Sequence, residues 1–337
     1  MKILLAPISW IYAMIIAIRH MLYDHNILPS HKVKLPTICV GNLAVGGTGK
    51  TPHVEYIIQL LLHHGWKVAV LSRGYKRKTK GFILADNKAT AKTIGDEPMQ
   101  IHAKFPNLPV AVCENRTKGI QLLQQKIKEI DVVVLDDAYQ HRALKCGLNI
   151  LLSTYDNLYI DDHLLPYGSL RDLPSRAQKA DAIVVTKCPT TMQPIDMRVV
   201  DNKLHLPVFQ QLHFTTMAYP DIKQKGVPLV LCGIAQPQYL IHHVRTQYPQ
   251  ALVMTYNDHH LYNDKDVDAI MKRTANVDFV LTTEKDMQRL ALTTLPQKLE
   301  KANKKLIVLP TSVLFRTDSN AFDRQILTYV RENNRKK

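Results

Sequence analysis

The chain has 337 residues, 46% hydrophobic and 22% charged, with 18 Pro and 13 Gly; this make-up excludes a disordered or collagen-like chain. A length in this range favours two domains over one. Lys and Arg outnumber Asp and Glu by 44 to 29, a net charge of +15, which suits an anionic partner such as nucleic acid, a phosphorylated substrate or a membrane leaflet without choosing among them.

The first element is an uncharged run, Ile3 to Ile18, between Lys2 and Arg19. It is shorter than the roughly 20 residues a span requires, and Pro7 and Ser9 weaken a straight span further. A signal peptide is disfavoured because no small-x-small cleavage site follows and only Lys2 charges its start. Trp10, Tyr12 and Tyr23 suit headgroup level, and Arg19 and His20 can face lipid phosphate. Residues 1–30 are therefore expected to form a membrane-associated helix inserted into one leaflet, with a short span or a buried core helix as alternatives.

Short β-branched apolar runs predict strands at 36–40, 67–71, 109–112, 131–135, 149–152 and 181–185. In the clearest helical pattern between them, 52–64, Val54, Ile57, Ile58, Leu61 and Leu62 share one face before Gly65 stops the helix. Apolar strands alternating with helices imply a parallel sheet covered on both faces. A second series follows at 227–232, 251–254, 278–282 and 305–309, and the Pro- and polar-rich stretch 190–226 fits a connector. Two α/β units are expected, a core over 31–205 and a smaller C-terminal domain over 206–337, with the RENNRKK tail as solvated charge. The five scattered cysteines (Cys39, Cys113, Cys146, Cys188, Cys232) have no CxxC or zinc spacing and read as small buried hydrophobes in a reducing cytoplasm.

After the strand ending at Val40 comes Gly41-Asn42-Leu43-Ala44-Val45-Gly46-Gly47-Thr48-Gly49-Lys50-Thr51-Pro52, which opens the amphipathic helix. This is the setting of a phosphate-binding P-loop, so the core is expected to be P-loop NTPase-like. The glycines let backbone N–H groups surround phosphate at a helix N-terminus. The residues Ala44 to Thr51 would bind ATP, with Lys50 neutralising β/γ-phosphate charge, the Thr51 hydroxyl ligating Mg²⁺ and Asn42 in support. Ala44 departs from the pattern by standing where the first glycine is usual. The run Val132-Val133-Val134-Leu135-Asp136-Asp137 delivers two carboxylates to the sheet's carboxyl edge, where Asp136 or Asp137 can hold Mg²⁺.

Seven stretches in order, GGTGKTP (46–52), LSRGY (71–75), GDEP (95–98), LDDAYQH (135–141), GSLRD (168–172), DHH (258–260) and TEKD (283–286), resemble the tetraacyldisaccharide 4'-kinase family over about 30 to 290. The resemblance implies a P-loop core joined to a smaller α/β domain, with the site in the cleft between them. It implies transfer of the γ-phosphoryl group of ATP, with Mg²⁺, to the 4'-hydroxyl of a tetraacyldisaccharide 1-phosphate in lipid A synthesis. The partners implied are ATP, the acylated disaccharide lipid and the cytoplasmic membrane surface, on the inner membrane of a Gram-negative bacterium. Asp96 resembles the family's general base and His259 the residue that orients it, coming from the second domain. Glu97, Arg73, Arg116 and Arg171, with Gln140 and His141, become candidates for substrate contact or support, while Glu284, Lys285 and Asp286 serve either ATP or the domain contact. Lys76 stands where glycine is frequent after SRGY, and Ala138-Tyr139 where Gly-Phe is common.

Two other classes compete. A regulatory P-loop GTPase or metallochaperone-type NTPase would need a guanine-reading Asn/Thr-Lys-x-Asp, and Thr186-Lys187-Cys188-Pro189 lacks the Asp. A nucleic-acid-dependent NTPase would need basic or aromatic readout motifs, and none is present, so no nucleic-acid partner is expected.

Overall fold

The computed structural model describes residues 5–335, so Ile3 and Leu4 of the uncharged run and the last two lysines of the tail lie outside the described residues. The chain opens with α1 (Ala6–Asp24). Ser9, Ile16 and His20 are buried on one side of it. On the other, Ile8, Trp10, Ile11, Met14, Ile15, Ile18 and Met21 are between 46% and 73% exposed, so α1 is not a core helix.

Strands then follow as β1 (His31–Lys32), β2 (Thr37–Asn42), β3 (Val68–Ser72), β4 (Ile83–Leu84), β5 (Val110–Val112), β6 (Val132–Asp136), β7 (Leu144–Lys145), β8 (Leu148–Thr154), β9 (Ala182–Thr186) and β10 (Gln211–Ala218). Between them run α2 (Lys50–His63), α3 (Ala91–Ile94), α4 (Asp96–Lys104), α5 (Arg116–Lys126) and α6 (Pro194–Leu204). The remainder is β11 (Pro228–Cys232), α7 (Gln238–Gln247), β12 (Leu252–Thr255), α8 (Asp264–Thr274), β13 (Phe279–Thr283), α9 (Glu284–Leu290), α10 (Leu295–Lys301), β14 (Lys305–Leu309), β15 (Ser312–Phe315) and α11 (Ser319–Asn334).

Nine strands form the large sheet in the order β15-β10-β9-β8-β2-β6-β3-β5-β4, parallel except for its two edge strands. Side chains alternate between its faces. Val133 and Leu135 of β6 join Ile120, Leu123 and Val200 in one core layer, whereas Val132 and Val134 join Ile57, Leu61, Phe322 and Ile326 in the other. Helices thus cover both faces, as continuous apolar strands require. The second sheet, β12-β11-β13-β14, is parallel throughout.

The division expected at 205/206 does not coincide with the break between the sheets. Both β10 and β15 belong to the large sheet, and α11 packs on it, so the smaller sheet lies wholly within 228–309. The stretch 190–226, read as a connector, contains α6 and β10. Buried His213, Thr215 and Thr216 deprive β10 of the apolar run that marks the other central strands.

Candidate active site

The carboxyl ends of both parallel sheets open on one cleft of about 420 Å³. The large sheet contributes the loop after β2, with Asp137 and Lys187. The small one contributes Gln236 after β11, His259 after β12, Glu284 and Lys285 after β13, and Thr311 after β14.

The P-loop residues Ala44 to Thr51 all line this cleft. Gly46 (φ 104°) and Gly49 (φ 86°) occupy the left-handed region that side chains resist, which turns the loop before α2 starts at Lys50. Ala44 needs no such freedom: it bridges Leu170, and the Val45 N–H donates to the Ser169 carbonyl at 2.8 Å. Buried His53 donates through Nδ1 to the Gly49 carbonyl at 2.8 Å and accepts the Thr215 hydroxyl at Nε2 at 3.0 Å. Burial lowers its pKa to about 4, so it is a neutral brace between the loop and β10. Asn42 accepts from Lys50 Nζ at 3.4 Å and donates to the Thr48 hydroxyl at 2.9 Å.

The register pairs Val40 with Asp136, setting the carboxylates beside the P-loop. The two then diverge. Asp136 is fully buried, and neither oxygen has a hydrogen-bond partner among the described residues. Burial, then the charges of Glu97 and Asp137, raise its pKa to about 8. Asp137 has φ 53°, which swings its carboxylate onto the Arg171 guanidinium and to 4.0 Å from Lys50 Nζ. Burial opposes that charge, but Lys50 and Arg171 outweigh it and hold the pKa at about 2.

Asp96 begins α4 and meets the second unit. His259 (φ 60°) follows β12 and brings Nδ1 to 2.8 Å from Asp96 Oδ2. The Lys285 ammonium has only donors and stands 3.2 Å from His259 Nε2, so the imidazole carries its hydrogen on Nδ1 and donates it to Asp96. Arg289 lies 3.7 Å from the same carboxylate oxygen. Burial alone would raise the Asp96 pKa; the His259 hydrogen bond and the Lys285 and Arg289 charges reverse this and lower it. Asp96 is 7% exposed and sits behind Glu97 and His259, which line the cleft where it does not. Lys285 also reaches Glu97 and Asp258, each at 3.3 Å.

The remaining expected residues separate by position. Arg171 lines the cleft, Gln140 donates to the Asn42 carbonyl at 2.8 Å, and exposed Arg73 lies outside the cleft lining. Arg116 is buried, and its guanidinium donates to the carbonyls of Cys113, Glu114 and Asp137, so it braces the loop after β6 and makes no direct contact with the cleft. His141 accepts the Arg116 N–H at 3.4 Å, and burial with the nearby arginines lowers its pKa to about 4. Of the undecided trio, Glu284 and Lys285 face the cleft. Asp286 is fully buried, accepting from the Gly233 N–H, the Tyr262 and Thr283 hydroxyls and Arg289. Lys76, where the family resemblance led to an expectation of glycine, has φ 58°, the conformation glycine adopts without strain.

Lys187 escaped the sequence reading as a site residue. Its ammonium bonds the Gly47 carbonyl and Gln236 and lies 5.0 Å over the Tyr239 ring, tying the P-loop to the second unit. Burial lowers its pKa to about 8. The only signal was Thr186-Lys187 at the end of a strand.

Comparison with known proteins agrees with this geometry. The profile of the tetraacyldisaccharide-1-P 4'-kinase family matches residues 1–331. A tetraacyldisaccharide 4'-kinase of Flavobacterium johnsoniae is 43% identical over 98% of this chain and 97% of its own, and one of Bacteroides thetaiotaomicron is 39% identical over 98% and 94%. A crystal structure of LpxK from Aquifex aeolicus in complex with ATP superposes with a TM-score of 0.74 at 26% identity, covering 98% of this chain and 99% of that one. The chain belongs to the tetraacyldisaccharide-1-P 4'-kinase family and is a kinase of lipid A synthesis.

Proposed function

We propose that this kinase transfers the γ-phosphoryl group of ATP to the 4'-hydroxyl of a tetraacyldisaccharide 1-phosphate presented at the cytoplasmic face of the inner membrane, with Asp96 as base and His259 as its positioning residue. The observation that carries the assignment is the 2.8 Å contact of Asp96 with a histidine of the second unit, across a cleft from a P-loop. Phosphoryl transfer needs alignment, charge neutralisation and an acceptor for the hydroxyl proton. Lys50 and the loop N–H groups neutralise phosphate charge. His259, fixed by Lys285, fills one oxygen of Asp96 and leaves the carboxylate ionised to take the proton as the hydroxyl attacks. Because Asp96 stands behind Glu97 and His259, admitting the acceptor requires these two to part, which movement of the smaller unit supplies.

The residues fit Mg²⁺. Asp136 has two buried, unpartnered oxygens, and the Thr51 hydroxyl lines the adjacent cleft. These two would hold the ion, while Asp137 stays with Arg171. Bound there, Mg²⁺ supplies charge neutralisation at the β- and γ-phosphates.

The membrane reading rests on the exposed apolar face of α1 together with its other face. The Tyr12 hydroxyl donates to the Arg171 carbonyl at 3.1 Å, Arg19 to the Gln140 carbonyl at 3.0 Å, and His20 contacts Asp172 at 2.5 Å. The leaflet-facing helix thus leans directly on the residues that hold Asn42 and Asp137, which suits an acceptor delivered from lipid. The test is incubation of purified protein with ATP–Mg²⁺ and the disaccharide 1-phosphate, with mass spectrometry of the lipid. A product heavier by one phosphate is expected, absent with Lys50→Ala; an unchanged lipid alongside ATP consumption would overturn the acceptor assignment.

A further inference from the structure

A second cavity, of about 450 Å³, lies at the C-terminal end of α1 and shares no lining residue with the catalytic cleft. Arg142, Lys145, Arg176 and Lys179 line it, against one carboxylate, Asp24. Asp24 is already taken: Arg142 bonds it at 2.5 Å, donates to the His20 carbonyl at 2.9 Å and lies over the Tyr23 ring. Asp172, the carboxylate that acts most strongly on Arg176, is held by His20. The Arg176 guanidinium and the Lys145 and Lys179 ammonium groups have no hydrogen bond or ion pair among the described residues. Burial, reinforced by the Arg142 charge, holds Arg176 below its usual range against the opposing pull of Tyr139, Asp172 and Asp24.

The unengaged Arg176 fork suits a phosphate, which accepts its paired donors, and Arg142, though bonded to Asp24 and His20, adds its charge beside it. The recess also touches α1 through Tyr23 and Asp24, one turn beyond exposed Ile18 and Met21. A ligand with a phosphate head and acyl chains would place its head among the arginines and its chains along that apolar face. We propose that this cavity binds the phosphate headgroup of a bilayer lipid of net negative charge, with Arg176 on the phosphate, Arg142 beside it and Lys145 and Lys179 at the rim. The site anchors the end of α1 and is distinct from the acceptor site. It builds on α1 lying in the leaflet.

The test is sedimentation of the full chain with phosphatidylcholine vesicles and with vesicles containing phosphatidylglycerol. Arg176→Gln with Lys179→Gln is compared with Lys225→Gln plus Lys301→Gln, two exposed lysines of the smaller unit. A basic residue at an anionic surface changes partition about fivefold, so the cavity pair should lower binding to phosphatidylglycerol vesicles about thirtyfold. The control pair should change it less than about twofold, and both variants should bind phosphatidylcholine as wild type does. The side chains replaced make no bonds, so an unchanged melting temperature and ATP affinity will show that the cavity variant is folded. Equal losses in the two variants would reduce the effect to net charge and overturn the site. Inorganic phosphate that stabilises wild type but not the cavity variant, with no preference for phosphatidylglycerol, would reassign the recess to a soluble anion. Failure of wild type to bind phosphatidylcholine at all would instead remove α1 from the leaflet.

Discussion

Asp136 offers a quantitative test of the metal assignment. In metal-free protein its pKa is raised to about 8, while in the unfolded chain it is an ordinary carboxylate near 4. Between these values the folded protein holds a proton that the unfolded chain has released. Its contribution to stability is therefore fully present below about pH 4 and is lost as pH rises through the raised value. The full slope is about 1.4 kcal/mol per pH unit, so from pH 5 to pH 7 wild type should lose about 3 kcal/mol through this one group. The residue is wholly buried, so solvent screening does not discount the figure. Asp136→Asn cannot titrate, and relative to wild type it should gain about 3 kcal/mol over the same interval in EDTA, a few degrees in a thermal melt. With Mg²⁺–ATP the order should reverse, because the cation compensates the carboxylate but not the amide. Melts of both proteins at pH 5, 6 and 7, with EDTA and with Mg²⁺–ATP, decide the matter. Parallel pH curves in EDTA would refute the raised pKa, and equal stabilisation by Mg²⁺–ATP would remove Asp136 from the metal site.

Asp96→Asn should keep ATP binding and depress turnover strongly, and His259→Ala should act in the same direction less severely. If the pair is one unit, turnover of the double variant at saturating substrates will fall far less than the product of the single losses; multiplicative losses would place His259 in another role. Ile11→Asp with Ile15→Asp leaves every bond of α1 to residues 140, 171 and 172 intact, so membrane binding should drop in flotation assays while ATP affinity stays unchanged. High salt should not release wild type, since apolar insertion is not screened. Asp286→Ala strands buried Arg289 and should cost about 3–5 kcal/mol, seen as early melting of the smaller unit.

The parts legible in sequence were the locally written ones. Strands β2, β3, β6 and β9 announce themselves as apolar runs, and the P-loop is a contiguous string in a strand-to-helix turn. The strand β10 was hidden because its buried positions include His213, Thr215 and Thr216, which look like loop residues until His53 and the sheet satisfy them. The two-residue strands β1, β4 and β7, of which β1 and β7 pair only with each other, and the short edge strand β15 carry no legible period. Within the site, adjacency misled: Asp136 and Asp137 read as an interchangeable pair, yet one positive φ sends them to opposite fates. Lys187 with Gln236, and Lys285 with Glu97, come from segments far apart in the chain, and only the approach of two sheets reveals them.

The double crossing between sheets has a consequence for modularity. Ala218 and Ser312, where the chain leaves the large sheet and returns to it, are direct partners in an antiparallel ladder. Cα atoms so paired lie about 5 Å apart, a gap that a tight turn closes. The smaller unit is thus an insert in a hairpin, and a shortened gene with a two-residue turn in its place would encode an uninterrupted nucleotide-binding sheet. Such a protein would keep the P-loop, Asp136 and Asp96, but lose His259, Lys285 and Arg289 together. The nucleotide loop and the base thus travel with one unit, while the groups that orient that base and hold it charged travel with the other.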